Sequence, residues 1–524
     1  MTDEMTVDSP VRLGPSRERS RSQLHERPPS IAARWLLAVA IGFTVLALAA
    51  LTAVWPALTL VVLGLVLIAA LAFFAPEFAL VGAILFYGLE GAVKIGVARE
   101  LPALGASPEL VGAAVIDLAF VVAVLGIVRQ DRGRTLLEIW RNVGRWVRIS
   151  LALLAAWMAI SLIQLLAGDA EAVLAGFRLS QAYVLAFLAG AMLLGRFRPE
   201  HVVNALVGVL VLIAAYGAFR AVGGPAEAER AAAFARSTTA LVPTEDGVIF
   251  RNAGSFSSAI GLASFLVPAG VFLFALGLAF VRLRLATWFG FALVVVALVG
   301  SHVRTSVLAI AVGVVCTVAL LTLASGLASW KKTALGLAGV PLLVALMALG
   351  GLVPYALSGG SQAVEERAAG LLDPLSDSSL ATRVERWRES LEVVQANPLG
   401  TGLGTVGAAT QDSEGRVQTF ADNSYLKILQ EQGPLGAIPF ILGIFGTLIA
   451  VAVRVTRSEM PLRGLGTAAV AGSASFFVLA WTSEAIEQPG KVLAWLLLGV
   501  ALWSASRVAQ PKRGPSSPTA GESA

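Results

Sequence analysis

Charge is scarce in this chain: Asp, Glu, Lys and Arg make up 14% of its 524 residues, where soluble domains carry about a quarter. Cysteine is nearly absent. The single Cys316 excludes an intramolecular disulfide and a cysteine-built metal site. What replaces charge is apolar length. The chain is 57% hydrophobic, and uncharged runs recur from Trp35 to Trp503, many reaching the roughly 20 residues that cross a bilayer. An all-α polytopic membrane protein is expected, with about 12–14 transmembrane helices.

The first 30 residues are basic, rich in Pro and Ser, and lack an apolar core. Residues 1–32 therefore read as a disordered cytoplasmic tail rather than a signal peptide, and 508–524 as a second disordered tail. Between them the apolar runs predict spans near 33–52, 56–75, 77–96, 110–128, 149–167, 177–195, 201–221, 254–281, 286–301, 303–324, 333–354, 434–453, 464–483 and 490–507. The N-terminal helices thus occupy 33–354, with an outer loop at 222–253. A large loop at 355–433 separates them from C-terminal helices at 434–507.

Basic residues set the orientation. Alternate connections collect Arg12 to Arg34, the run RQDRGR with Arg141, Arg145 and Arg148, then Arg196, Arg198, Arg282, Arg284, Lys331, Lys332, Arg454, Arg457, Arg463, Arg507, Lys512 and Arg513. These connections and both termini are assigned to the cytoplasm, which puts 222–253 and 355–433 outside an inner (cytoplasmic) membrane.

Within the large loop, residues 397–407 read NPLGTGLGTVG, with Gly402, Gly404 and Gly407 in the spacing G-x-G-x-x-G and Asp422 about twenty positions on. A dinucleotide fold needs a strand before that turn. Here a helix is expected instead: Thr382 and Glu385 form a capping box, and Val384, Trp387, Leu391 and Val394 recur at helical spacing. That helix should stop at Asn397-Pro398. The glycines then read as a compact turn. Asp422 or Asn423 caps a short helix through Gln432, which Gly433 ends before Pro434 opens the next span.

Arginines on the outer side are informative, because orientation is easier without them. Arg178, Arg251 and Arg304 lie at outer span junctions, and Arg383, Arg386 and Arg388 ride on the loop helix. Guanidinium forks match phosphate oxygens bidentately and keep their charge. Such a group suits the pyrophosphate of a lipid carrier whose tail lies among the spans. A sugar attached to that pyrophosphate is transferable once the leaving charge is held, and arginines can hold it in place of a metal. A base must also take the proton of an acceptor hydroxyl. Asp422 is the candidate. Glu431, Glu484, Glu487 and His302, which is the one histidine on the outer side, are further possibilities.

These residues carry a resemblance. The succession SHVRTS, ATRVERWRESLEVVQANPLGTGLGTVG and ADNSYLKILQEQGPLGAIPF resembles the O-antigen ligase and O-antigen polymerase superfamily. The matching positions are Arg383, Trp387, Asn397, Pro398, Gly402, Gly404, Asn423, Ser424, Tyr425, Leu426, Glu431, Gly433 and Gly436, with RNAGSF from Arg251 similar to an upstream segment. The resemblance covers roughly 251–440. It implies a GT-C-like helical glycosyltransferase that needs no metal or other cofactor. Its donor would be an undecaprenyl-pyrophosphate-linked glycan and its acceptor a glycan or lipid hydroxyl. The outward arginines would be pyrophosphate ligands, with Asn423, Tyr425 and Glu431 among the substrate contacts. Asp422 stands where ligases typically have histidine, which tilts the reading toward polymerisation of repeat units.

Two features lie outside that pattern. Glu90 and Lys94 are one helical turn apart in an apolar run and can pair within the membrane. Glu484 and Glu487, in WTSEAIEQPGK, read as solvated turn residues. A lipid-linked sugar flippase is the competing function, although a transporter expects charge near the bilayer midplane. Nothing in the sequence points to nucleic acid.

Overall fold

The structure, a computed structural model, describes residues 56–100, 108–167, 170–197, 199–224, 241–244, 247–325, 378–407 and 421–508. The tails, the expected spans at 33–52 and 333–354, and much of both outer loops lie outside the described residues. The chain divides into two units, Met1–Thr59 and Leu60–Ala524. Among the described residues the first contributes only the opening of one helix, and the second holds the helical bundle.

The helices are α1 (Pro56–Phe74), α2 (Pro76–Gly88), α3 (Glu90–Glu100), α4 (Pro108–Asp131), α5 (Arg134–Asn142), α6 (Arg145–Ala167), α7 (Ala170–Ser180), α8 (Val184–Arg196) and α9 (Pro199–Gly223). They continue with α10 (Ala259–Ala279), α11 (Arg284–Ser301), α12 (Arg304–Ser325), α13 (Ser378–Ala396), α14 (Ser424–Val455), α15 (Leu462–Leu479) and α16 (Gly490–Ser506). Strands β1 (Leu241–Thr244) and β2 (Gly247–Phe250) form one antiparallel hairpin, with Leu241 opposite Phe250. It is the only exception to an all-helical architecture among the described residues.

Nine helical segments among the described residues are long and apolar enough to cross a membrane, or ten if α2 and α3 form one bent span. Helices α10 and α16 are buried on nearly all faces and make the centre. Around them α15 packs on α10, α8 on α16, and α14 on α6. An aromatic knot locks this centre: Trp157 lies 4.7 Å from Phe440 and stacks on Trp495 at 6.4 Å, and Phe477 meets Trp495 edge-on at 5.8 Å. Helices α8 and α16 cross closely. A side chain at Gly190 would stand 2.2 Å from the Leu496 carbonyl oxygen, the small-residue contact that brings helices together where lipid removes the usual hydrophobic drive. Outward, Leu212, Phe219, Leu442 and Ile449 stay exposed. This is the inside-out apolar surface that a bilayer accepts.

The expected span 77–96 is broken. Helices α2 and α3 bend by 69° at Leu89, because the segment after β2 inserts there. The Ser255 carbonyl accepts from Gly91 N–H at 2.8 Å and Ala92 N–H at 3.2 Å, and its hydroxyl donates to Gly88 O. Backbone groups freed by the bend are therefore satisfied inside the protein, as membrane depth requires.

The loop helix α13 ends at Ala396, where Asn397-Pro398 was expected to stop it. It starts at Ser378, four residues before the expected cap at Thr382, because Leu380 and Ala381 are good helix formers. Its Val384 and Leu391 stay about half exposed, at 51% and 45%, so the apolar stripe read from the sequence does not turn as a whole into the core.

Candidate functional site at the charged end of the bundle

Three helices orient the molecule. The N-terminal parts of α4, α14 and α16 carry Asp117, Lys427 and Lys491, and these join one polar network. The C-terminal ends of α14 and α16 carry Arg454, which donates to Asn142 O at 2.9 Å, and Arg507, which lies 3.5 Å from Glu138. One end of the bundle is thus built from paired charges of both signs, and the other is dominated by arginine.

At the mixed end the G-x-G-x-x-G stretch finds its partner. Asn423 caps α14: its side chain accepts from Tyr425 N–H at 2.9 Å and Leu426 N–H at 3.2 Å. The first two turns of α14 run from Ser424 to Gln432 and break at Gly433, which has φ +63° and ψ −175°. That is the stop expected from Gly433-Pro434. Glu431, on these turns, accepts from Gly404 N–H at 3.0 Å and Val406 N–H at 3.3 Å. The loop's amides therefore bind a carboxylate of the protein itself, not a phosphate. Gly404 has φ +75°, and a side chain on it would stand 1.8 Å from Ala172 O of α7. Glycine is required there on both counts.

Lys427 closes this arrangement. Its ammonium lies 2.6 Å from Glu431 and 3.1 Å from Glu487, donates to Val406 O at 2.5 Å, and is sealed with Glu431 at 1% side-chain exposure. Glu487 is buried too. This corrects the expectation of a solvated turn at 484–487: that turn folds inward onto the loop. Glu484 accepts from Ala421 N–H at 2.8 Å, and burial, then the neighbouring Glu487, push its carboxyl up to about 8.

Next to this core Asp422 sits at φ +48°, a strained value for a residue with a side chain. Its carboxylate pairs with Arg386 of α13, and both remain accessible, at 30% and 43% side-chain exposure. Arg383 lies one helical turn before Arg386. The cap is Asn423, so the Asp422 carboxylate is not needed for it.

Across the same end, Arg178 of α7 pairs with Asp117 of α4, whose carboxylate also accepts from Tyr87 at 2.6 Å and Tyr183 at 2.9 Å. Lys491 places its ammonium 4.0 Å above the Tyr183 ring and donates to Leu179 O and Glu487 O. Arg178, Asp117, Lys491, Glu90 and Lys94 border one small cleft of about 60 Å³. Glu90 pairs with Lys94, as expected, and also accepts from the Ser257 hydroxyl at 3.1 Å. Ser257 follows Arg251 in the inserted segment. Asn252 N–H donates to Gly300 O at 3.0 Å, so Arg251 sits beside the end of α11, and Arg304 opens α12 four residues on. His302, with φ +55°, is the residue that ends α11.

The expected site residues divide into two kinds. Arg178, Arg251, Arg304 and Arg383 are part-exposed, as is Asp422. Arg178 shares a network with Asp117, and Arg251 adjoins the junction that Arg304 follows. Arg383 rides on α13, one turn before the Arg386 that pairs with Asp422. Asn423, Tyr425 and Glu431, expected as substrate contacts, are buried, at 4%, 5% and 0% exposure. Their polar groups serve the cap, a bond from Tyr425 to Phe477 O at 2.7 Å, and the Lys427 ion pair. In this structure all three frame the loop.

Sequence reasoning missed Asp117, Lys427 and Lys491. Asp117 was visible as the lone carboxylate in an apolar run, a functional signal by default in a membrane. Lys427–Glu431 and Glu487–Lys491 were visible as pairs four apart.

Fold and site together define a multi-pass helical membrane protein with a charged network at one end of the bundle. Residues 289–441 match the O-antigen ligase family, which supports the resemblance to the ligase and polymerase superfamily. The match takes in Arg304, Arg383, Asp422 and the Lys427–Glu431 pair, and leaves Arg178, Asp117 and the Glu484–Lys491 turn outside. A search of curated proteins found no match.

Proposed function

We propose that this protein is a glycosyltransferase that moves glycan from an undecaprenyl-pyrophosphate-linked donor to an acceptor hydroxyl on the outer face of the inner membrane. The observation that carries the reading is the accessible Arg386–Asp422 pair, between α13 and the start of α14, within the residues that match the O-antigen ligase family. In the reaction the acceptor oxygen bonds to the anomeric carbon while the bond from that carbon to the lipid diphosphate breaks. The electron pair leaves with the diphosphate, and Arg178, Arg251, Arg304 and Arg383 are assigned to hold its charge. Asp422 takes the acceptor's proton. Each electrostatic contact of this kind is worth roughly 2.7–4 kcal/mol of barrier where one stabilising donor has been removed from an enzyme.

The arginine-rich end faces the cytoplasm in this reading, in keeping with the positive-inside rule. Aspartate in place of histidine at 422 favours repeat-unit polymerisation over ligation. Deleting the gene is expected to leave lipid-linked glycan unconsumed. Single lipid-linked repeats identify a polymerase and complete unattached polymer a ligase. A surface polysaccharide profile equal to the parent strain's contradicts both.

A further inference from the structure

A second charged feature lies at the opposite end, far along α4 from Asp117. There α4 ends at Asp131, Arg132 and Gly133 turn at φ +53° and +70°, and α5 begins. The turn is fixed by its own acid. Asp131 accepts from the Thr135 hydroxyl at 2.5 Å and from Thr135 N–H at 3.2 Å. Asp131 is buried in that role. A cleft of about 500 Å³ opens here, lined among the described residues by Arg129, Gln130, Arg132 and Arg134. Arg129 is preset: its guanidinium lies 4.1 Å over the Phe73 ring and donates to Phe73 O.

The surroundings put this cleft at the water–lipid boundary. Helix α5 buries Thr135 and Ile139 and leaves Leu137 and Trp140 exposed on the other side. Phe73, under Arg129, and Phe74 put aromatic surface at the cleft, and Trp146 at the start of α6 is 73% exposed. Arg141, Arg145 and Arg148 stand exposed among them. An amphipathic helix with outward tryptophan and arginine is the pattern of a segment lying in the membrane interface. Of the other acids on this side, Glu138 faces Arg507 and Glu77 lies in the first turn of α2, four residues beyond Phe73.

We propose that this cleft is a binding site for the headgroup of an anionic glycerophospholipid, with Arg132 and Arg134 gripping the phosphate, Arg129 prepositioned beside it, and the aromatic rim flanking the acyl chains. Forked guanidinium groups suit a phosphodiester, and the cleft has room for a glycerol-phosphate headgroup. Clustered arginines at a span end are the chemistry by which membrane proteins select anionic lipids. The site is separate from the proposed transfer chemistry and stands or falls without it.

The test is native mass spectrometry of the purified full chain titrated with phosphatidylglycerol or phosphatidylcholine. The wild type is expected to prefer phosphatidylglycerol. The double variant Arg132→Ala/Arg134→Ala should lose about thirtyfold in phosphatidylglycerol affinity, taking each arginine's usual contribution at a membrane surface. Arg282→Ala, an exposed arginine in the turn between α10 and α11, should leave it unchanged. Arg132→Gln/Arg134→Gln repeats the test if the alanine variant unfolds at a lower temperature. Equal affinity for the two lipids, or an undiminished preference in the double variants, overturns the proposal. So does displacement of the lipid by millimolar inorganic phosphate, which marks a free-phosphate site.

Discussion

Asp422→Asn is expected to reduce glycan transfer by two orders of magnitude or more while the protein inserts and folds normally. The structure makes this substitution clean. The α14 cap belongs to Asn423, so its two amide bonds survive. What Asp422 loses is its ion pair with Arg386, in which both side chains are substantially exposed. Exposed pairs contribute about 0–1 kcal/mol, too little to unfold the chain. A group that accepts a proton in the transition state contributes about 10²- to 10⁴-fold to rate, and asparagine cannot accept it. The check is transfer rate beside thermal unfolding in detergent for D422N. Arg386→Ala, which removes the same pair and leaves the carboxylate, serves as control. If D422N keeps more than half the wild-type rate, Asp422 is not the base. If D422N and Arg386→Ala lose activity equally, the pair acts by shaping the loop.

Lys427→Met is expected to do the opposite: it should destabilise the loop domain before any question of chemistry arises. Methionine fills similar space but leaves Glu431 and Glu487 facing one another without their shared cation. Removing one partner of a buried ion pair costs about 3–5 kcal/mol, because the remaining charge stays desolvated. The loss should spread to residues 397–407, since Val406 O and the Gly404 and Val406 amides are bound through Lys427 and Glu431. Thermal unfolding and proteolysis of the loop read this out. Adding Glu431→Gln and Glu487→Gln to Lys427→Met removes the stranded charges and should restore much of the lost stability. A single variant as stable as wild type would show that the ion pair is not what holds the loop.

Much of this architecture was legible in the sequence because its signals are local. Apolar length marks most of the spans. Asn397-Pro398 ends α13 and Gly433-Pro434 breaks α14, since neither proline nor the residue before it continues a helix easily. The glycine stretch was separable from a dinucleotide loop on what precedes it alone. The misreadings share another cause, which is tertiary closure. In the sequence Glu487 reads as a solvated turn residue, yet its turn packs against Lys427 and the 397–407 loop. Glu431, marked by its family position, is held here by Lys427 and two backbone amides, partners that sequence alone did not show. The bend at Leu89 depends on Ser255, more than 160 residues away along the chain. No periodicity around residue 89 encodes that contact.

If the charged end of the bundle holds a diphosphate as it leaves a sugar, release of that diphosphate must keep step with glycosidic bond formation. Purified protein in proteoliposomes, supplied with a lipid-diphosphate-linked glycan, allows both to be counted for wild type and for Arg304→Ala and Arg383→Ala. One release per bond is expected in wild type, and about 1% or less of that rate in either variant, the loss that follows when a transition-state contact is removed. Undiminished release in both variants, or donor that crosses the bilayer with no bond formed, would mean that these arginines do not hold a leaving group.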